Sequence, residues 1–520
     1  MSDEFVCESK EAGNPAQVAA LEVLPVPAAD PPLTSPNSDS ASPTEPVAPD
    51  VVQGQVPNIL KCRDDAGPVR FINDDTKPED VNSKPMFKLM GDSNVPSWAK
   101  NRTFSSDDLR GRIEPWLTAL TQSEHLSLLI GSGLSSAVHR IAAKQGLPGM
   151  ATEPNFGDTN DVIAAEALRS AKATQRDSGN IEDKIRVASE LLRGLEILGN
   201  TDGDAKVLAD GLRVKFMEVL SNLATSVLSG EQGVIKSSVE TREQAFNDLV
   251  GFLMSFASRN GTRDRLHIFT TNYDRFIEAG AELAGLHLLD RFVGSLSPIF
   301  RSSRLDLDIH YNPPGIRGEP RYLEGVARFT KLHGSLDWLQ VGDHIRRMGV
   351  PFGAEYLAPF LQAQGASDAF GLMIYPNAAK DRETSAYPYV ELFRDFAAAA
   401  CRPNHTLITF GYSFGDEHIN RVIEDMLTIP STHLVIISYN DPMGRIMKTY
   451  DKLGRPDQIT LLIGDHVGNF QTLVQYYLPK SAIDRNTFRM AELLKSRFVT
   501  KERETESAAA STIQIGGATA

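Results

Sequence analysis

The chain has 520 residues, 41% hydrophobic and 23% charged, which is the composition of an ordinary globular protein with room for two or three packed units and tails. Its formal net charge of −14 argues against a nucleic-acid-binding surface over the whole chain, because neutralising phosphates needs clustered Lys and Arg. The three cysteines, Cys7, Cys62 and Cys401, form no CxxC pair, so neither a disulfide framework nor a structural zinc site is predicted. No apolar run reaches the roughly 18–20 residues that span a bilayer, and we predict a cytoplasmic protein without a membrane partner.

Both ends of the chain have the composition of tails. Residues 1–68 are rich in Pro and Ser and are predicted to be disordered, because such a segment buries too little apolar surface to offset its ordering entropy. Residues 506–520 form a second predicted tail, preceded by one or two helices over 481–505. Residues 69–104 keep apolar side chains among charged ones, which indicates an N-terminal arm that packs on the rest of the protein.

Short apolar runs alternate with helical patterns between residues 105 and 480. A helix with Ser105 or Ser106 as its cap leads into the first run, and later runs are separated by helices. This alternation predicts an α/β fold with a doubly wound, parallel, Rossmann-like sheet. The stretch from about 137 to 265 is too long for one crossover helix, so we predict an inserted helical subdomain. The predicted strands are 126–130, 266–270, 406–410, 434–438 and 459–463.

A glycine-rich turn follows the first predicted strand. Gly131-Ser132-Gly133-Leu134-Ser135 closes the strand and opens a helix, so its backbone N–H groups could face a pyrophosphate that the glycines let approach. Taken alone, such a turn is as often only a tight connection.

Polar residues follow the second predicted strand in Thr270-Thr271-Asn272-Tyr273-Asp274. Ligand-binding groups of open α/β sheets lie at this carboxyl end. An amide and a carboxylate at alternate positions suit a nicotinamide riboside, in which one holds a hydroxyl or water and the other the carboxamide. Asp274 is equally well placed to cap the helix that follows.

Three further segments carry candidate binding residues. His333 lies in Lys331-Leu332-His333-Gly334-Ser335, and a histidine there is either a turn residue or a base whose intrinsic pKa of about 6.5 suits neutral pH. Gly411 and Ser413 belong to a loop between a strand and a helix that could wrap phosphate or ribose, and Asn440 ends the next strand. The acidic and histidine residues after Ser413 are typical of helix caps, so no metal site is predicted.

In their order along the chain, these motifs resemble the NAD-binding and catalytic elements of the sirtuins. The resemblance implies that Asn272 is catalytic, Asp274 contacts nicotinamide, and His333 is the base that acts on a ribose hydroxyl. It also implies that residues of four segments bind NAD: Gly131, Ser132, Gly133 and Ser135 of the first turn, Thr271, Gly411 and Ser413, and Asn440. Gly411 and Ser413 belong to the counterpart of the sirtuin Gly-Thr-Ser loop, and Asn440 is expected at the adenosine ribose. The two CxxC pairs and the Gly-Ile-Pro-Asp-Phe-Arg loop of sirtuin deacylases are missing from this sequence.

The sequence is closer to the zinc-less, sirtuin-like branch of bacterial antiphage defence, whose activity is destruction of NAD. This resemblance implies an NAD glycohydrolase with NAD as substrate, no zinc, and control through homo-oligomerisation or a partner such as a HerA-like ATPase. Two alternatives remain open, an NAD-dependent deacylase and a non-catalytic module that senses NAD or ADP-ribose.

Overall fold

The computed structural model describes residues 56–74, 84–91, 95–99, 102–147, 153–173, 181–259, 264–303, 307–311, 321–357, 360 and 387–480. The predicted tail at 506–520, the predicted helices over 481–505 and most of the predicted tail at 1–68 lie outside these residues. Within these ranges, no helix combines the length and the apolar character needed to cross a membrane.

Strands and helices alternate through most of the described chain. The strands are β1 (Asn58–Lys61), β2 (Val69–Asn73), β3 (Met86–Leu89), β4 (Thr103–Ser105), β5 (His125–Ile130), β6 (His267–Thr270), β7 (His287–Leu289), β8 (Phe292–Val293), β9 (Ile299–Phe300), β10 (His310–Tyr311), β11 (Arg321–Tyr322), β12 (Val326–Lys331), β13 (Trp338–Val341), β14 (His344–Arg347), β15 (His405–Phe410), β16 (His433–Ser438) and β17 (Ile459–Ile463). The helices are α1 (Ser106–Thr121), α2 (Ser132–Ala143), α3 (Asn160–Ala173), α4 (Ile181–Leu198), α5 (Gly203–Ile235), α6 (Val239–Ala257), α7 (Phe276–Ala284), α8 (Tyr389–Ala400), α9 (Glu417–Leu427), α10 (Arg445–Leu453) and α11 (Phe470–Thr472). Short 3₁₀ turns at Gly157–Thr159 and Pro456–Gln458 and a π turn at Leu473–Tyr477 complete these elements.

The main sheet has eleven strands in the order β4-β3-β2-β1-β17-β16-β15-β5-β6-β12-β7. The strands from β17 to β7 in this order pair in parallel, whereas β1 to β4 extend the sheet with antiparallel pairs. The chain leaves β5 towards β6 on one side and later returns to β15 on the other, which makes the β5–β15 boundary a topological switch point. The predicted parallel α/β sheet is confirmed.

Side chains of the parallel strands alternate between two hydrophobic cores. Leu128 and Ile130 of β5 join one core, which α1, α2, α6 and α7 cover, and Leu129 joins the other, which α8, α9 and α10 cover. Because the central strands are buried on both faces, each reads as a continuous apolar run. Ser105 caps α1 through a capping box with Asp108, as the sequence indicated.

The prediction of a disordered tail up to residue 68 is wrong for Asn58–Lys61, which form β1. All four residues are buried, and β1 pairs with β17. Asn58 fixes this strand, because its Nδ2 donates to Asp465 Oδ1 at 2.8 Å and its Oδ1 accepts the N–H groups of His466 and Val467. The segment is therefore ordered by pairing with β17, which lies about 400 residues away in sequence. The sequence did not indicate a strand here, because the segment is short and directly follows Pro57. The N-terminal arm continues the sheet as β2, β3 and β4.

The inserted helical subdomain is narrower than the predicted 137–265. The helices α3, α4 and most of α5 share a core of their own, which includes Ile163, Ile185 and Leu220. By contrast, Val138 of α2 and Leu249 of α6 belong to the core on the main sheet. The sequence could not separate the two groups of helices because both have the same apolar spacing, and only the packing partners differ.

A second small sheet was not predicted, and its strands come from two segments, one between β7 and β12 and one between β12 and α8. It is four-stranded and antiparallel, in the order β13-β14-β9-β8, and β10 and β11 form a hairpin. Its strands are two to four residues long, which is too short for a period-two pattern to stand out in the sequence.

Four neighbouring parallel strands, β16, β15, β5 and β6, begin with a histidine. In β15, His405 shares a hydrogen bond with Ser127 Oγ at 3.0 Å, and in β16, His433 shares one with Thr460 Oγ1 at 2.8 Å. Burial lowers the pKa of His405 to about 3 and the pKa of His433 to about 4. Both rings are therefore neutral in the folded protein at pH values where they are protonated in the unfolded chain.

These histidines predict that stability falls in mild acid. The contribution of a neutral histidine is full above its unfolded pKa of about 6.5 and is lost as the pH falls towards the folded value, with a slope of about 1.4 kcal/mol per pH unit. Denaturant titration at pH 7 and at pH 5 measures how much the free energy of unfolding decreases between the two. We expect this decrease to be about 2 kcal/mol smaller in His405→Gln than in the wild type. His344→Gln, at an exposed site in β14, is the control and should follow the wild type. An equal loss in wild type and His405→Gln would contradict the prediction.

Candidate active site

The predicted site residues lie at the carboxyl ends of five adjacent strands. In spatial order, the loops follow β16, β15, β5, β6 and β12. This edge contains the switch point, where open α/β sheets bind their ligands.

Asn272 and His333 occupy equivalent positions, each two residues beyond the end of one of two paired strands. The last residue pair of β6 and β12 joins Thr270 to Lys331, and each site residue follows two positions later. Two hydrogen bonds continue the pairing, from Leu332 N to Thr270 O at 2.8 Å and from Leu336 N to Tyr273 O at 3.0 Å. Asn272 and His333 are both buried, with exposures of 7% and 6%. The structure thus brings together two residues that are 61 positions apart in sequence.

A hydrogen-bond chain links Asn272 to Asp274 through Ser135. Asn272 Nδ2 donates to Gly131 O and to Ser135 Oγ, both at 3.0 Å, and Ser135 Oγ donates to Asp274 Oδ2 at 2.6 Å. Both hydrogens of the Asn272 side-chain amide are thereby donated within the protein. Its side-chain carbonyl oxygen can still accept a hydrogen bond. Ser135 is 1% exposed, so it orients Asn272 and Asp274 from within the protein.

Asp274 fills the capping role that its sequence context left open, and its contact with nicotinamide stays a prediction. Its Oδ1 accepts the N–H of Phe276 at the start of α7, while Oδ2 is bound by Ser135. Burial raises the pKa of this carboxyl, and the charge of Lys331 and the Ser135 hydrogen bond counteract the increase. Lys331 itself donates to Asp274 O and to the Glu278 carboxylate.

His333 is paired with Asp416, which the sequence analysis regarded only as a helix cap. The distance from His333 Nε2 to Asp416 Oδ2 is 2.8 Å, and both side chains are buried. The cap is present as well, because Asp416 Oδ1 accepts the N–H of His418 in α9. The ring of Tyr273 lies on one side of the imidazole and that of Phe393 on another, each with its centroid 6.4 Å away. His333 and Asp416 are 83 positions apart in sequence, and no local pattern in the sequence indicates this pair.

Asp416 reaches His333 because the loop after β15 crosses the ends of β5 and β6. The crossing depends on close contact between glycines, since an added Cβ would lie 2.4 Å from Gly411 O at Gly131 and 2.5 Å from Gly411 Cα at Gly133. Gly411 itself has a φ of +60°. Tyr412 holds the loop through hydrogen bonds from its hydroxyl to Asp416 O and Asn420 Oδ1.

These contacts correct the role expected for the first glycine turn. The N–H of Gly131 donates to Phe410 O at 3.0 Å, and the N–H of Gly133 donates to Gly411 O at 3.1 Å. The expectation that these two N–H groups face a pyrophosphate is therefore wrong, because both are used between the loops. The glycines let two backbones approach each other.

The remaining predicted ligand-binding residues are more accessible. Ser132, Ser413 and Asn440 are exposed, after β5, β15 and β16 respectively, and Thr271 and Gly411 are half-buried. They thus lie along the outer edge of the buried Asn272–Ser135–Asp274 chain. No group of three or more His, Cys, Asp or Glu side chains suited to a metal ion occurs in the part of the chain that the structure describes.

A buried ion pair between Arg275 and Glu231 anchors the site to the helical subdomain. Glu231 of α5 is fully buried and accepts hydrogen bonds from Arg275 N at 3.0 Å, Nε at 3.1 Å and Nη2 at 2.5 Å. Its Oε2 also accepts the N–H of Gly353, and the Arg275 guanidinium donates to Val350 O and Pro351 O. One side-chain pair therefore joins α5, the loop after β6 and the segment after β14.

Comparison with known proteins identifies the family that this site resembles. Residues 266–454 match the SIR2-like domain. Members of this domain family are NAD-dependent enzymes. The SIR2-like domain covers about a third of the chain and includes Asn272, His333 and Asp416, whereas Ser135 lies outside it.

Similarity to a solved structure is distant. A solved structure concerned with the structural basis of sirtuin substrate affinity is 13% identical, with coverage of 70% of this chain and 98% of that chain and a TM-score of 0.29. A search of curated proteins gives no match to this chain.

The Arg275–Glu231 pair yields a stability prediction. Glu231→Gln should lower the free energy of unfolding by about 3–5 kcal/mol, because it leaves a buried guanidinium without its carboxylate. Denaturant titration followed by circular dichroism measures this change. Glu166→Gln, which breaks an exposed pair with Arg169 in α3, should leave the unfolding midpoint unchanged. Equal midpoints for Glu231→Gln and Glu166→Gln would contradict the prediction.

Proposed function

We propose that this protein is an NAD glycohydrolase, which cleaves NAD⁺ to nicotinamide and ADP-ribose. The observation that supports the proposal is the placement of Asn272 and His333 just beyond the ends of two paired strands, where Ser135 links Asn272 to Asp274 and Asp416 is hydrogen-bonded to His333. Polar groups fixed in a buried site stabilise developing charge more effectively than water does.

In this proposal the bond between the nicotinamide nitrogen and C1′ of the ribose breaks, and its electron pair leaves with nicotinamide as a neutral molecule. The ribose develops positive charge, which the buried carboxylates of the site stabilise. A water oxygen then bonds to C1′, and its proton passes through His333 to solvent. Each turnover consumes one water and releases one proton.

The hydrogen bonds assign a role to each side chain. The carbonyl oxygen of Asn272 orients the water, because both hydrogens of its amide are already donated to Gly131 O and Ser135 Oγ. Asp274 accepts a hydrogen bond from the carboxamide of nicotinamide. Asp416 holds the imidazole of His333 and stabilises it when it takes the proton.

The resemblance to antiphage defence proteins is the basis for a proposed biological role. We propose that NAD depletion makes the protein an antiphage effector that acts by abortive infection. An enzyme that empties the NAD pool must be held inactive until infection, so control in trans is part of the proposal. A homo-oligomer or a HerA-like ATPase is the proposed means.

Incubation of the purified chain with NAD alone tests the reaction. Release of nicotinamide and ADP-ribose in equal amounts is expected, and under control in trans it should be low for the chain alone and increase when the products of neighbouring genes are added. Nicotinamide release that requires an acyl-lysine peptide would instead indicate a deacylase, and NAD binding without turnover a sensing module.

Two substitutions test the site residues. Asn272→Ala and His333→Ala should each reduce nicotinamide release by about 10²–10⁴-fold, because each removes a group that acts on the water or its proton. Circular dichroism and thermal unfolding should show that both variants remain folded. His344→Ala, at an exposed site in β14, is the matched control and should keep wild-type activity. Full activity in either site variant would refute the assignment.

Asp416→Asn separates the two roles of Asp416. Asparagine is as good an N-cap as aspartate, so α9 and the unfolding midpoint should be preserved. Loss of the carboxylate beside His333 should lower kcat at least about 10-fold with little change in KM, and should alter the pH dependence of the rate. A rise in KM alone, or an unchanged pH profile, would mean that Asp416 does not act through His333.

A further inference from the structure

A guanidinium lies against the loop after β15, on the accessible side of the site. Arg445 is the first residue of α10, and its Nη1 lies 3.0 Å from the position that a Cβ on Gly415 would occupy. The same position is 3.5 Å from Ser413 Oγ. Because Gly415 has no side chain, the cation can lie beside the Ser413 hydroxyl.

This cation occupies the middle of the ligand-binding edge. Adjacent strands are about 4.8 Å apart, so the ends of β12, β6, β5, β15 and β16 span roughly 19 Å. Under the proposed function, the nicotinamide ribose lies at β6 and β12 and the adenosine ribose near Asn440 after β16. The pyrophosphate that joins the two ribosides then lies near β5 and β15, where Arg445 reaches from the β16 side.

Two other cationic side chains near this edge bind groups within the protein. Arg275 donates to Glu231, and Lys331 donates to Glu278 and Asp274 O. At the start of α10, the carboxylate of Asp441 accepts the N–H groups of Ile446 and Met447. These helix N–H groups therefore serve Asp441, and an anion at this position needs a side chain to bind it.

We propose that Arg445, together with the Ser413 hydroxyl, binds the pyrophosphate of the dinucleotide. Arginine suits this role because its planar guanidinium donates two parallel hydrogen bonds to phosphate oxygens. The assignment rests on the proposed function and extends it to a specific binding residue. Arg445 contributes to affinity and takes no part in bond cleavage.

Titration calorimetry with ADP-ribose tests Arg445 apart from catalysis. Arg445→Gln should weaken ADP-ribose binding by about 10- to 100-fold, the usual effect of removing a charge-assisted hydrogen bond. With NAD as substrate, KM should rise while kcat stays near the wild-type value. Lys448→Gln removes the same charge from an exposed position one turn along α10, and it should bind ADP-ribose like the wild type.

Salt dependence separates a charge contact from a structural effect. Increasing ionic strength should weaken ADP-ribose binding to the wild type more than to Arg445→Gln, because salt screens only the pair that is present. Gly415→Ala should leave stability unchanged, since the flexible guanidinium can move aside, yet it should weaken binding by displacing Nη1.

The outcomes distinguish the two proposals. Wild-type cleavage of NAD with equal ADP-ribose affinity in Arg445→Gln would overturn the role of Arg445 and leave the proposed function intact. Equal affinity losses in Arg445→Gln and Lys448→Gln would also overturn it, because the effect would then reflect net charge. A wild type that neither binds ADP-ribose nor cleaves NAD would overturn both.

Discussion

The candidate active site depends on one buried ion pair, Arg275–Glu231. Arg275 directly follows the loop that carries Asn272 and Asp274, and Glu231 belongs to the long helix α5 of the helical subdomain. A buried charge pair is tolerable only when further hydrogen bonds satisfy its polar atoms, and here backbone groups of residues 350, 351 and 353 provide them. The insertions around the sheet therefore help to hold the loop after β6, which carries Asn272 and Asp274.

The same loops show how close backbone contact positions the His333–Asp416 pair. The contact of Gly411 with Gly131 and Gly133 lets the segment after β15 pass over its neighbours and places Asp416 on His333. A side chain at any of the three glycines would separate the loops. In this site the glycine-rich turn determines the geometry of protein groups that lie two strands away.

Negatively and positively charged side chains lie at different places along the proposed ligand-binding edge. Buried carboxylates, those of Asp274 and Asp416, lie where the proposed reaction develops positive charge, and the Arg445 guanidinium lies where a dinucleotide carries negative charge. Under the proposed function, this arrangement would favour one orientation of NAD over its reverse. The proposal also reconciles an acidic chain, with a net charge of −14, with a substrate that contains phosphates.

The sequence by itself determined the parallel arrangement and five of its seven strands, because residues buried on both faces leave apolar runs, whereas β7 and β12 were not predicted. It also indicated Asn272 and Asp274, because polar residues directly after such runs lie at the ligand-binding edge, while His333 was indicated only by the resemblance to the sirtuins. Only the tertiary structure decided the Asp416–His333 pair, the bridging place of Ser135, the position of Arg445 and the strand at Asn58–Lys61. Each of these depends on contact between segments far apart in the chain. The local periodicity of a sequence does not predict such contacts.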